Sequence, residues 1–361
     1  MLKAEMRDES PSAASPIAGA SVDHIELQVT DLAATVERLT CGYGFEVAAP
    51  ARRGEEGGEH LVALLHQGRI RVRVVQALSS AHQAWTYTDR HGDGVAVIAL
   101  AVDDVPLAYR RLVESGAVAV SAPSIGWDGG VTAAVAAFGD VVHRLVERRA
   151  EHPVSGPLAS GSALTGIDHF AVCLPIGELD GCVRSYVESF GLEVTFREDI
   201  SVGPLGMSSV VVQNASGDLT LTLIEPASQR EAGQIESFLQ RHGGAGVQHV
   251  AFTAPDIVAA VGELSERGVR FLTTPASYYD LLAARLTLLH HSVDRLREGH
   301  ILVDEDHDGQ LFQIFTASEH PRGTMFFEVI ERIGARSFGS NNIRALYEAV
   351  ELQRTLEAVG R

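Results

Sequence analysis

The chain has 361 residues, of which 45% are hydrophobic and 21% charged, and its formal net charge is −18. This composition is typical of a globular protein with about two domains, and the negative charge disfavours nucleic acid or an anionic membrane as partner. Three widely spaced cysteines, a charged amino terminus and the lack of an apolar run of about 18 residues predict a cytoplasmic protein with free thiols.

The first half of the chain predicts two units in which a strand precedes a helix. Residues 1–20 have the composition of a loose tail. Residues 25–29 alternate like a half-buried strand, and 32–39 have helical spacing. Residues 95–102 predict a second strand, followed by a helix that ends near Gly116.

The second half repeats this organisation after a Pro- and Gly-containing segment at 151–162. Strands are predicted at 170–174, 209–213, 219–224 and around 250–252, and helices at 179–190 and 257–267. An insertion at about 278–302 and a loop and helix at 338–359 have no counterpart in the first half. We therefore expect an α+β fold of tandem βαβββ modules: two open β-barrels with outer helices, a domain at 21–152, a domain at 165–361 and a C-terminal helix.

Matched positions of the two halves differ in their capacity to bind a metal. Asp23-His24 corresponds to Asp168-His169, and two further matches align 92–99 with 244–251 and 143–148 with 327–332. At these positions the first half supplies His24, Val97 and Arg144. The second half supplies His169, His249 and Glu328.

Two imidazoles and one carboxylate are the ligands of the facial triad of non-haem Fe(II) oxygenases, which leaves coordination positions open. Valine cannot bind a metal and arginine repels one, so we expect the first module to be structural. The alternative is that each histidine is a core residue and Glu328 a surface acid, but an unpaired carboxylate in the apolar segment 325–330 would be costly. Fe(II) is favoured over zinc because the set lacks thiolate, while Mn and Co remain compatible with it.

Other chemical signals are weaker. Residues 304–309 resemble the start of a calcium loop, but Phe315 stands where the loop needs a glutamate, so a charged hairpin turn is expected. His290 and His291 are expected to be solvated. The glycines at 42–44 and 243–246 lack the spacing of a phosphate loop and predict turns.

Several segments resemble the 4-hydroxyphenylpyruvate dioxygenase family of the vicinal-oxygen-chelate superfamily. The resemblance covers the chain from about residue 20 to its end. It depends on the segments at 244–249, 274–275, 278–279, 301–304, 310–316, 326–332 and 338–343.

The resemblance implies an oxidoreductase that uses Fe(II) and O2 to decarboxylate 4-hydroxyphenylpyruvate, and allows a homodimer. It assigns the metal ligands to His169, His249 and Glu328. It also assigns substrate-binding roles to polar, apolar and C-terminal residues: Ser209, Thr222, Ile224, Gln234, Gln248, Gln313, Phe315, Phe326, Phe338, Asn342 and Ile343. Gln248 precedes a ligand, so it should point away from the metal unless its strand is distorted.

Three positions depart from the pattern of the family's homogentisate-forming members. Thr222 and Ile224 replace a proline and an asparagine, and Ile343 replaces a phenylalanine. We expect these changes to reposition the aromatic ring so that the benzylic carbon is hydroxylated, giving 4-hydroxymandelate, a precursor of the hydroxyphenylglycine of peptide antibiotics. The alternatives are homogentisate formation in tyrosine breakdown, a binding protein without turnover, and an extradiol enzyme that cleaves catechols.

Overall fold

The computed structural model describes residues 17–54, 58–126, 129–147, 163–202, 205–227, 233–339 and 342. The strands of the first module are β1 (Ser21–Gln28), β2 (Glu46–Arg53), β3 (His60–Gln67), β4 (Ile70–Ala77), β5 (Gly94–Val102), β6 (Ala119–Ile125), β7 (Val131–Phe138) and β8 (Val141–Glu147). Those of the second are β9 (Gly166–Cys173), β10 (Glu193–Val202), β11 (Leu205–Gln213), β12 (Thr220–Pro226), β13 (Gly246–Thr253), β14 (Leu302–Glu305), β15 (Gln310–Phe315) and β16 (Phe326–Ile333).

Each module forms one eight-stranded sheet, and the two sheets have the same strand order. That order is β2-β3-β4-β1-β5-β8-β7-β6 in the first module and β10-β11-β12-β9-β13-β16-β15-β14 in the second. Strands β1 and β4 are parallel, as are β5 and β8, and their counterparts in the second module match them. The predicted α+β fold of tandem modules is confirmed.

The helices include all four that the spacing predicted. They are α1 (Leu32–Glu37), α2 (Gln83–His91), α3 (Val105–Glu114), α4 (Leu179–Glu188), α5 (Gln234–His242), α6 (Ile257–Glu266), α7 (Ala276–Arg285) and α8 (Val293–Glu298). Helices α2 and α5 were not predicted, although each is amphipathic and ends at a glycine, Gly92 and Gly243. Helices α7 and α8 form the insertion of the second module. Within the described part of the chain, no helix is long and apolar enough to cross a membrane.

One hydrophobic core runs through both modules. In β9, Phe170 and Val172 are fully buried in this core, whereas Ala171 between them faces the opposite side of the sheet. Across the module boundary, Tyr43 packs edge-on against Phe327 with ring centroids 5.0 Å apart. Because burying a large apolar side chain is worth roughly 2–3 kcal/mol, this shared core holds the modules together.

Buried histidines also join the modules. His143 of β8 lies 2.8 Å, Nε2 to Oη, from Tyr186 of α4, and His91 of α2 bonds through Nδ1 to the His242 carbonyl at 2.7 Å. Burial lowers the pKa of His143 to about 4 and that of His242 to about 4. These imidazoles are neutral at neutral pH, which matches their apolar surroundings.

Two β-bulges recur at the same places in both modules. Asp23 of β1 and Asp168 of β9 are extra residues in the pairing with β5 and β13. Ala96 and Gln248 are extra residues on the partner strands. A bulge turns neighbouring side chains toward one side of the sheet, whereas a regular strand would place them on opposite faces.

Two of the weaker sequence signals had different outcomes. The turn at 306–309 is the predicted hairpin turn: Asp306 Oδ1 accepts hydrogen bonds from the Asp308 and Gly309 amides at 2.9 and 3.0 Å. The expectation of two solvated histidines was wrong for His291. Its Nε2 lies 2.9 Å from Glu331 Oε2 and its ring packs on Phe312, because α7 and α8 fold this segment back onto the sheet.

Candidate metal centre

His169, His249 and Glu328 meet on one face of the second sheet. Strand β13 lies between the other two, and Ala251 pairs with both His169 on β9 and Glu328 on β16. Glu328 Oε2 is 3.3 Å from His169 Nε2 and 3.2 Å from His249 Nε2, and one ligand atom from each residue lies within 4.8 Å of the others. The three neighbouring strands therefore bring together the residues that the repeat singled out.

The bulge at Asp168 explains how His169 is held. Because the bulge turns both side chains the same way, Asp168 Oδ1 lies 2.8 Å from His169 Nδ1, although the two residues are adjacent. Arg332 of β16 donates two hydrogen bonds to the carboxylate of Asp168, from Nε to Oδ2 at 2.7 Å and from Nη2 to Oδ1 at 2.9 Å. A carboxylate on Nδ1 leaves Nε2 free to bind a metal.

Charge in the cluster is balanced internally. Burial opposes ionisation of Glu328, but His169 and His249 hold the pKa of its carboxyl at about 2. Burial likewise opposes protonation of His169, yet Glu328 and Asp168 raise the pKa of its imidazole to about 9. Burial lowers the pKa of His249. A metal cation would replace the proton of His169 as the partner of Glu328.

The donor set fits a divalent transition metal. Three nitrogen and oxygen donors converge, all are buried, and Glu328 is only 2% exposed. Two neutral imidazoles and one carboxylate suit Fe, Mn, Co or Zn, and three protein ligands leave positions for a substrate. The other two clusters with this potential among the described residues include exposed side chains, Asp256 with His291 and Glu331, and Asp306 with His307 and Asp308.

The predicted pocket residues on strands share the face of the ligands. Directly paired residues lie on one face, and the registers connect Thr222 with Ala171, Ile224 with Ser209, and Phe315 with Glu328. Gln313 lies two residues before Phe315 and faces the same side. Phe326 stacks on the His249 ring at 5.0 Å, and Phe338 contacts the His169 ring edge-on at 5.3 Å.

Three of these residues carry buried polar atoms that have no hydrogen-bond partner within the described part of the chain. They are Thr222 Oγ1, Gln313 Oε1 and Asn342 Nδ2. An unpaired buried polar group is costly, so these atoms are suited to a polar ligand on this face of the sheet. Asn342 also accepts a hydrogen bond at 3.1 Å from Tyr278 in the insertion.

Two further predicted residues, Gln248 and Gln234, lie on β13 and α5. Gln248 is the extra residue of the bulge in β13, so the distortion that its role requires is present. Gln234 is the first residue of α5, and the next residue, Ile235, packs with Ile224. Ile343 and the predicted C-terminal helix beyond it lie outside the described residues.

Sequence reasoning missed Asp168, Arg332 and Tyr278 as parts of the site. The repeated Asp-His pair was a signal for Asp168. Nothing in the linear order connects Arg332 with residue 168, since only the neighbourhood of β9, β13 and β16 brings them together.

Comparisons with known proteins agree with this geometry. Models of the glyoxalase/bleomycin resistance protein/dioxygenase superfamily match residues 23–135 and 166–314. The probable 4-hydroxyphenylpyruvate dioxygenase 2 of Aspergillus fumigatus is 36% identical over 73% of this chain and 71% of its own. The 4-hydroxyphenylpyruvate dioxygenase of Tetrahymena thermophila is 30% identical over 96% of this chain and 93% of its own.

A solved structure resembles the whole chain. It is a triple mutant of 4-hydroxymandelate synthase from Streptomyces coelicolor, 38% identical, with a TM-score of 0.82 over 93% of this chain and 99% of that one. The fold and the matches define an enzyme, a metal-dependent non-haem dioxygenase of the oxidoreductase class. Within the superfamily, the chain belongs to the 4-hydroxyphenylpyruvate dioxygenase family.

Proposed function

We propose that the protein converts 4-hydroxyphenylpyruvate and O2 into 4-hydroxymandelate and CO2, with Fe(II) bound by His169, His249 and Glu328. The observation that carries the choice of product is the 38% identity to a 4-hydroxymandelate synthase along nearly the full length of both chains. Thr222 and Ile224 lie on the ligand-bearing face of the sheet, where they can affect the position of the substrate.

When bound, Fe(II) supplies the redox chemistry and the open positions that an α-keto acid and O2 require. Glu328 supplies a buried negative charge against the cation. Asp168 keeps the proton of His169 on Nδ1, so that Nε2 is directed to the metal.

The remaining residues bind and enclose the substrate. Thr222 and Gln313 offer unpaired polar atoms for its polar groups, and Asn342 does the same from the segment after β16. Phe315, Phe326 and Phe338 lie around the two histidine rings and keep water away. Ile224 belongs to an apolar cluster with Ala171 and Ile235, so its own side chain offers the aromatic ring an apolar contact.

Homogentisate formation is the second candidate, because several relatives are named 4-hydroxyphenylpyruvate dioxygenase. The same reactants would then give a hydroxylated ring and a migrated side chain. The two reactions differ in which carbon meets the oxidant, and a displacement of about 1 Å is enough to change relative rates by orders of magnitude.

One incubation separates the two products. Metal-free protein is loaded with Fe(II), supplied with 4-hydroxyphenylpyruvate and air, and its products are identified by liquid chromatography and mass spectrometry. We expect 4-hydroxymandelate to dominate and Ile224→Asn to increase the share of homogentisate. Homogentisate as the main product of the unaltered protein would refute the proposal, and an absence of oxygen uptake would favour a binding protein.

A further inference from the structure

We propose that Arg332 is a positioning residue that couples the orientation of the metal ligand His169 to the placement of Phe338. This inference rests on the proposed metal centre, and it concerns a side chain that touches neither the metal ligands nor the substrate directly. Arg332 lies on β16 four residues after Glu328, on the same face of the strand.

One end of the Arg332 guanidinium holds Asp168. Its Nε and Nη2 donate to the two carboxylate oxygens at 2.7 and 2.9 Å, and Asp168 in turn bonds His169 Nδ1 at 2.8 Å. Such a two-point contact fixes the plane of the carboxylate, which a single hydrogen bond does not. The carboxylate that receives the His169 Nδ1 hydrogen bond is thereby held in place.

The other end of Arg332 holds the segment after β16. Its Nη1 donates to the Ser337 carbonyl at 2.6 Å, and its guanidinium carbon lies 4.8 Å from the centre of the Phe338 ring. Phe338 itself contacts the His169 ring at 5.3 Å. His169, Asp168, Arg332 and Phe338 therefore form a closed ring of contacts.

The first module contains a related contact, in which an arginine binds the aspartate through a single nitrogen. Asp23 bonds His24 Nδ1 at 2.7 Å and accepts a hydrogen bond at 2.9 Å from Nη1 of Arg71, a residue of β4. Nε of Arg71 has no hydrogen-bond partner among the residues that the structure describes. An Asp-His pair with an arginine thus occurs in both modules. At the histidine of the proposed metal centre, the arginine makes two hydrogen bonds to the aspartate and also contacts the ring of Phe338.

The test compares Arg332→Gln with Arg71→Gln as a matched control, using Co(II) as the probe. Metal-free full-length variants are titrated with Co(II) by calorimetry and followed by its visible absorption. Because loss of a partner behind a metal-bound histidine typically costs 10- to 100-fold in affinity, we expect roughly that weakening in Arg332→Gln and none in Arg71→Gln. Arg332→Lys should bind Co(II) as weakly as Arg332→Gln, because an ammonium group cannot make the two parallel hydrogen bonds to Asp168.

Three further variants keep the test decisive if Arg332→Gln folds poorly, which circular dichroism would show. Asp168→Asn should weaken Co(II) binding to the same degree, and adding Arg332→Lys to it should cause little further loss, since both act through one contact. Phe338→Ala should leave Co(II) affinity nearly intact yet change the ratio of 4-hydroxymandelate to homogentisate, as Arg332→Lys should also do.

Unchanged Co(II) affinity in the Arg332 variants, or an equal loss in Arg71→Gln, would overturn the inference. Unchanged product ratios in both Phe338→Ala and Arg332→Lys would overturn the coupling to the pocket wall. These results are distinguishable from failure of the proposed function, which would appear in the unaltered protein as absent metal binding or as a different product.

Discussion

The two modules place different chemistry at equivalent positions of the same sheet. Ala99 pairs with His24 and Arg144, as Ala251 pairs with His169 and Glu328. The register also places Glu26 at the position of Ala171, and Arg73 at that of Thr222.

The first module fills this space with an internal ion cluster. Glu26 is buried and contacts Arg73 and Arg144, with Arg144 Nη1 at 2.9 Å from its carboxylate. Burial opposes ionisation, but the two guanidinium groups keep the pKa of Glu26 well below its usual range. A buried carboxylate needs a positive partner in either module. In the first module that partner is arginine, and in the second we propose that it is a metal ion.

The largest effect should come from Glu328→Ala, which removes the carboxylate from the second module. Loss of a ligand should abolish tight Co(II) binding and, with it, the chemistry that the metal supplies, so turnover should fall to background. Anaerobic Co(II) titration and oxygen uptake measure the two effects. The reciprocal change in the first module, Arg144→Ala, should leave Co(II) binding in place. Equal metal affinity in Glu328→Ala and the unaltered protein would contradict the proposal that the second module binds the metal through this carboxylate.

The next effect concerns the ion cluster of the first module. Glu26→Gln leaves two guanidinium groups without a carboxylate, so we expect the free energy of unfolding to fall by about 3 kcal/mol. Urea denaturation measures this loss, and Co(II) affinity should not change. Glu46→Gln, at an exposed carboxylate of β2, serves as the control. A stable Glu26→Gln protein with weakened metal binding would show that the first module contributes to the site.

Acid should weaken the junction between the modules. The pKa of His143 and that of His242 are about 4 in the folded protein, below the ordinary value of about 6.5. The unfolded chain therefore binds protons that the folded one does not, and stability falls as pH drops from 6.5 toward 4. At pH 5 we expect a loss of about 2 kcal/mol for each imidazole.

Urea midpoints at pH 7.5 and 5.0 test this dependence. His143 matches Phe327 in the repeat, so His143→Phe introduces the side chain that the second module has at that position. The variant should lose part of the acid sensitivity. An identical pH dependence in His143→Phe would show that other groups cause it.

The smallest effect concerns the segment after β16. Gly339 has a φ of +71°, and a Cβ there would collide with the side-chain amide of Gln313. Gly339→Ala should cost about 1–2 kcal/mol in backbone strain and raise KM for the keto acid, since Gln313 must move. Gly129→Ala in the first module is the control, because Gly129 has a φ of +78° and no described atom would lie within 4 Å of its added Cβ. Equal KM values in the two variants would show that Gln313 does not contribute to substrate binding.

The repeat made much of this organisation predictable from the sequence. The match to the first half predicted the strands that carry His169 and His249. The differences between Val97 and His249, and between Arg144 and Glu328, distinguished the two modules. These signals are local, because side-chain periodicity in a strand depends on neighbouring residues alone. Helices α2 and α5 escaped prediction, although both are amphipathic and end at a glycine.

Long-range pairing decided what the sequence did not. From the sequence, Glu26 is an ordinary polar residue of an alternating strand. In the folded sheet it is buried between Arg73 of β4 and Arg144 of β8. His291 reads as solvated, yet the insertion folds it onto Glu331. Arg332 meets Asp168 across 164 positions of the sequence. Strand alternation fixes which face a side chain occupies, but only the order of strands in the folded sheet determines which charges become neighbours there.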